Sequence, residues 1–232
     1  MNRSTARPRA ARGMTIVELL IGLALGLFVV AGASTLLAGQ LHEQRALAAD
    51  TRLAQDLRNA ADLIARDLRR AGYWDDAASG IWSAGAAPPF NPHGVLAPAA
   101  AASDALRYSY SGDGAGDTTA GAGADGRAGF RLHQHAIEAR LGGRWQALTD
   151  PQALVVTTFE LVPTVDEIDL AALCLRPCSA AVAAAGTCPP RQQVRSIAVR
   201  IAGHATGDER VVRRAEMQVR LRNDAVVGAC SA

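Results

Sequence analysis

The sequence has no lysine: all 24 basic residues are arginine, which beside the abundance of alanine reads as a compositional bias of the source rather than as chemistry. It has no cysteine before Cys174, only 4% aromatic residues, and no charge of either sign from Leu19 to Leu41. Nor is there a nucleophile elbow, a phosphate-cradling glycine loop or a paired-carboxylate cleft, so the chain is expected to be no enzyme and to carry no cofactor. The formal net charge of +2 gives no strong attraction for nucleic acid, and none is expected as a partner. His133 and His135 would share a face if Phe130 to His135 were a strand, but no third ligand accompanies them and a metal is not expected. Asp113, Asp117 and Asp125 lack calcium-loop spacing and fall in a Gly-, Ala- and Asp-rich stretch, Ser111 to Gly129, that reads as a solvated loop.

The missing charge is informative. Leu19 to Leu41 is a run of 23 uncharged, mostly apolar residues, which as a helix spans about 35 Å, enough to cross a bilayer. Arg3, Arg7, Arg9 and Arg12 precede it, so the rule that basic flanks stay in the cytoplasm places the N-terminus inside and the bulk of the chain outside. A secretory signal would end in a small-residue cleavage site, whereas this run is longer and carries Glu18 near its start. A carboxylate beside so apolar a span is a functional candidate by default. Without the four leader arginines the net charge falls to about −2.

Gly13 followed by Met14-Thr15-Ile16-Val17-Glu18-Leu19-Leu20-Ile21-Gly22 resembles the processing signal of type IV pilins and type II secretion pseudopilins. The resemblance implies that a prepilin peptidase cuts after Gly13, that the new N-terminus at Met14 is methylated, and that Glu18 is the assembly residue. It implies four regions: a cleaved basic leader (1–13), a transmembrane and assembly helix (14–41), an amphipathic continuation (42–72) and a periplasmic pilin-like sheet domain (73–232). The expected location is the inner membrane, single-pass, and then the pilus at the cell surface.

Beyond His42 the pattern becomes amphipathic, with Ala54, Leu57, Ala61, Ile64, Leu68 and Ala71 on one face. Arg52–Asp56, Arg58–Asp62 and Asp62–Arg66 stand four apart on the other, and Gly72 suits a left-handed cap after Ala71. Prolines at 88, 89, 92 and 98 make Tyr73 to Asp104 an irregular surface connection. Ala105 to Tyr110 reads as a strand, Ile137 to Leu141 and Arg144 to Leu148 as a hairpin about Gly142-Gly143, and Leu154 to Val162 as a strand stopped by Pro163. Ile197, Val199 and Ile201, then Met217, Val219 and Leu221, alternate with polar neighbours about a turn at Gly207-Asp208 and read as an antiparallel pair. The expected fold class is α+β, a long N-terminal helix packed on an antiparallel sheet.

Cys174, Cys178, Cys188 and Cys230 fall on the outer side of the membrane, where disulfides rather than a zinc site are expected. Two bridges allow three connectivities, all open at this point; the favoured one joins Cys178 to Cys188 across a short loop and Cys174 to Cys230. Ala65-Arg66-Asp67-Leu68-Arg69-Arg70-Ala71-Gly72-Tyr73, Ser103-Asp104-Ala105-Leu106 and Val219-Arg220-Leu221-Arg222-Asn223 resemble the PilW type of minor pilin, although Trp74-Asp75-Asp76 departs from its pattern. Such a protein helps start or cap a type IV pilus that serves adhesion or twitching motility. Its implied partners are other minor and major pilins, a tip adhesin and the prepilin peptidase. A J-type minor pseudopilin of a type II secretion system shares much of this layout, and an adhesin-like binding module is the third reading.

Overall fold

The computed structural model describes residues 13–84, 86–112 and 127–231, so the leader arginines and Asp113, Asp117 and Asp125 lie outside the described residues. Two compact units form, one up to Ala49 and one from Asp50 onward. The first is helical. Helix α1 (Ile16–Leu68) starts in it, free of proline, and every described side chain from Gly13 to Leu41 is exposed. Ser34 and Thr35 return their hydroxyls to Val30 O at 2.7 Å and Gly32 O at 2.8 Å, so these polar groups are satisfied within the helix, as hydrocarbon surroundings require. Among the described residues this is the one helix long and apolar enough to cross a membrane.

In the second unit the same helix carries a buried stripe of Leu53, Leu57, Ala61, Ile64 and Leu68. It starts at Leu53 rather than at the half-buried Ala54 because residue 53 stands one full row, four residues, before Leu57. None of the three expected i,i+4 charge pairs closes among the described residues; Asp50 instead meets Arg213 at 2.7 Å and Asp67 meets Arg70 at 3.5 Å. The helix ends three residues before Ala71, and Arg70, Ala71 and Tyr73 then bond back three residues each in tighter turns. Gly72 follows with φ 73°, the left-handed conformation a side chain disfavours.

Two antiparallel sheets, where one was expected, share a single core with that stripe. The first contains β1 (Ala105–Tyr108), β2 (Ala128–His133), β3 (Ala136–Leu141) and β4 (Arg144–Ala147) in that order. Gly142 and Gly143 make the β3–β4 turn with φ of 58° and 88°, the geometry that matches strand twist. Gln134 and His135 make the β2–β3 turn, also at positive φ, so His135 lies off the strand and shares no strand face with His133. Ala128 and Gly129, assigned above to the loop, belong to β2 because they pair with Tyr108 and Arg107.

The second sheet holds β5 (Leu154–Asp169), β6 (Arg191–Ala205) and β7 (Asp208–Arg220), with β8 (Ala225–Val227) also paired to β6. Pro163 does not stop β5, which runs six residues further. Leu161 gives its N–H outward to Ser103, and residue 163 faces the same way on this edge strand, so proline forfeits no ladder bond to β6. Between β5 and β6 a short helix α2 (Ala180–Ala184) lies in a loop held by Cys178–Cys188, while Cys174–Cys230 closes 56 residues and ties down the segment after β8.

Several separate parts of the chain meet at the end of the helix. Asn223 donates to Ala71 O at 3.2 Å and Asn91 to Gly72 O at 2.8 Å, occupying carbonyls left open past the last turn. Arg195 of β6, buried, donates to Gly94 O and, at 2.8 Å, to Asn223 O. Burial pulls its pKa below the ordinary guanidinium value, a fall opposed by the charge of Asp224. Its Nη2 lies 3.4 Å from where a Cβ on Gly72 would stand. One buried cation thereby joins the irregular connection, β6 and the segment after β7 at the negative end of the helix.

Tyr108, fully buried, donates its hydroxyl to Asp67 Oδ2 at 2.6 Å. Burial, and then the Asp67 charge, hold its phenol well above the usual value of 10.0. The folded pKa is the higher one, so this contribution is complete below about pH 10 and is lost as pH rises toward the folded value. With no lysine and three tyrosines, few other groups titrate there. Tyr108→Phe is expected to lower stability at pH 7 by about 1.5–3 kcal/mol and to flatten the alkaline decline, as read from denaturant midpoints across pH. An alkaline decline as steep in the variant as in the wild type would contradict the assignment.

Candidate processing and assembly site

Thr15 sets where the helix begins. Its Oγ1 accepts the Glu18 N–H at 3.3 Å and its carbonyl accepts the Leu19 N–H at 3.1 Å, which makes it the N-cap. Thr15-Ile16-Val17-Glu18 has capping-box spacing, a signal present in the sequence that the reading above passes over. Starting the helix there leaves Gly13 and Met14 outside it, and Met14 is 68% exposed. The Gly13–Met14 bond thus stands in open, non-helical backbone.

Glu18 falls in the first turn and is exposed, where the positive end of the helix dipole favours a carboxylate. Gly13 has nothing within 4 Å of an added Cβ, so the chain's own fold does not require glycine there. Gly22, Gly26, Gly32 and Gly39 are equally open. A glycine inside a helix costs about 1 kcal/mol relative to alanine, and in this chain no contact offsets that cost.

The other candidates belong to the second unit. All four cysteines are paired with one another. His133 lies 3.3 Å from Glu138 at the end of β2, and among the described residues no group of three or more His, Cys, Asp or Glu is placed to hold a metal. Arg195 was missed although it stands in the same phase as Ile197, Val199 and Ile201, where a charged residue on the buried face of an alternating strand is the signal that could have found it.

Comparison with known proteins finds two family models that match different parts of the chain. The model of the prokaryotic N-terminal methylation motif matches residues 8–34, covering Gly13, Met14 and Glu18. The family model described as prepilin peptidase-dependent protein B matches residues 46–221, which takes in the amphipathic part of α1 and seven of the eight strands. No curated protein and no solved structure matches the chain. With a capped, apolar N-terminal helix behind an exposed Gly–Met bond and two antiparallel sheets beyond, the chain belongs to the prepilin peptidase-dependent protein B family and is a pilin-like protein carrying the N-terminal methylation motif.

Proposed function

We propose that the chain is a minor type IV pilin that helps start the pilus and sits at its tip. Before assembly it is held in the inner membrane with its N-terminus inside and its sheet domain in the periplasm. Its role is structural rather than catalytic. The observation that carries this reading is the state of α1 before residue 42: apolar, exposed on all sides, and bearing four glycines that contact nothing in their own chain. Small residues of this kind let the backbones of neighbouring helices approach within a membrane or a bundle.

Cleavage after Gly13 creates a positive amine at Met14, four residues from Glu18. An unpaired charge in apolar surroundings costs at least several kcal/mol, and pairing offsets much of that. If Glu18 meets the amine of a neighbouring subunit, the two helices are staggered in one register, which makes Glu18 an assembly residue. A J-type pseudopilin would use the same device. Neighbouring genes for a secretin and a secretion ATPase, in place of pilin-like genes and a tip adhesin, would favour that second reading.

Two outcomes test this account. Gly13→Val should leave the chain uncut, because a β-branched residue obstructs close backbone approach by the peptidase; N-terminal sequencing of the wild type should begin at Met14, and any other start would refute the site. Glu18→Ala should insert, be cut and fold normally, yet be depleted from sheared pili. Normal recovery of the cut variant with the pili would show that this charge does not recruit the subunit.

A further inference from the structure

The irregular connection after α1 gathers aromatic residues that the core does not use. Tyr73, Trp74, Trp82 and Phe90 are four of the ten aromatic residues in the chain, yet none of them is buried, and Phe90 is 66% exposed. Such rings bring a fold some of its largest apolar gains when covered, so a cluster left open calls for a ligand or partner.

Trp74 and Phe90 line a pocket of about 480 Å³ in the second unit, together with Pro89 and Asn91 of the same connection and the segment Arg222 to Val227 that follows β7. Gly80, also in the lining, ends a short 3-10 turn, Ala77–Gly80. A Cβ there would stand 3.6 Å from Trp74 Cε3 and 3.7 Å from Cζ3, in ordinary contact with the six-membered ring, so glycine leaves that part of the indole uncovered.

Polar groups meet the rings at this pocket. Asp224 takes Gln192 Nε2 at 2.7 Å and Arg220 Nη2 at 3.1 Å on Oδ2, but its buried Oδ1 has no hydrogen-bond partner among the described residues. Arg222 makes no side-chain hydrogen bond or ion pair among the described residues. Asn91 gives one amide hydrogen to Gly72 O and accepts the His93 N–H, which leaves it one hydrogen and one lone pair. The lining therefore offers open donors and open acceptors beside an aromatic face.

We propose that this pocket binds a neutral β-linked glycan whose rings carry equatorial hydroxyls, one ring resting its C–H face on Trp74 and sharing its hydroxyls between Arg222 and Asp224. A pyranose with equatorial hydroxyls presents bare axial C–H groups above and below, and these polarised groups suit the negative face of an indole. A hydroxyl both donates and accepts, which answers an open carboxylate oxygen and an open guanidinium together. A carboxylate or phosphate would accept from Arg222 but be repelled by Asp224. The volume suits a ligand of about one or two rings. A proline-rich peptide also packs on aromatic grooves, but its prolines have no N–H to give Asp224. Gly13, Met14 and Glu18 belong to the other unit, so this binding is separate from processing and recruitment.

The test is saturation-transfer NMR of the full chain in a sugar-free polyoxyethylene detergent, with cellobiose as the probe. Sorbitol, which has hydroxyls but no ring, and decaproline run alongside. Cellobiose should show transfer to its ring C–H protons that saturates at or below about 10 mM and is unchanged in high salt, and sorbitol should show none. Gly80→Leu, which covers the indole and removes no polar group, should weaken binding about tenfold. Trp74→Phe, which keeps an aromatic face, should retain most of it, and Arg222→Ala should weaken it about threefold to tenfold. Each variant is compared with wild type by circular dichroism. No saturable transfer to cellobiose, equal transfer to sorbitol, wild-type binding by the folded Gly80→Leu or Arg222→Ala variant, or tighter binding of decaproline would each overturn the proposal.

Discussion

A helix that is apolar on every side for 23 residues has no face to turn toward its own sheets, so its surroundings must come from outside the chain. Burying apolar surface is worth about 25 cal/mol per Å², and this stretch leaves Leu19, Leu23, Leu27, Phe28 and Val30 each more than half exposed. Lipid can cover such a surface, and so can other helices of the same kind. A change of cover from one to the other keeps the apolar burial nearly constant, leaving polar details such as Glu18 and the open glycines to decide which neighbours fit. The hydroxyls of Ser34 and Thr35, closed on their own helix, leave nothing polar for a partner to satisfy midway along.

From Asp50 onward the same helix obeys a different rule, packing one stripe into a core built with two sheets. The carbonyls at its end are the weak point of such an arrangement, since a buried helix terminus without partners is costly. Asn223 and Asn91 donate to them at Ala71 and Gly72, and Arg195 in turn donates to the Asn223 carbonyl; because the three come from separate parts of the chain, satisfying the helix end also fixes where those parts lie. Tyr108 on Asp67 adds an anchor one turn earlier. The stretches 65–73 and 219–223 are thus joined physically, since Asn223 of one donates to the carbonyl of Ala71 in the other.

What was legible in the sequence followed from local rules. The apolar run, the Gly142-Gly143 turn and the alternating β6 and β7 each state their structure within a few residues. The misses arose where the deciding atom lies far away. Pro163 sits inside a strand because its nitrogen faces the outer edge, which depends on Ser103. Gln134-His135 turns the chain without glycine because the His133–Ala136 pairing closes the hairpin around it. The role of Arg195 beside the helix end could not be read because its partners, Gly94 and Asn223, lie far away in the sequence. The Thr15 cap differs from these in being readable in the sequence, as a Thr three residues before a Glu at the head of an apolar run.

The central claim is that α1 before residue 42 exchanges lipid for neighbouring helices only after the chain is cut at Gly13. The most direct measurement places a photo-crosslinking amino acid at Leu23 and compares adducts from the wild type and from Gly13→Val in cells making pili. The account predicts adducts with another pilin-type subunit, formed by the cut chain and lost in Gly13→Val. Equal adducts from cut and uncut chains, or adducts with lipid alone in the sheared fibre fraction, would contradict it.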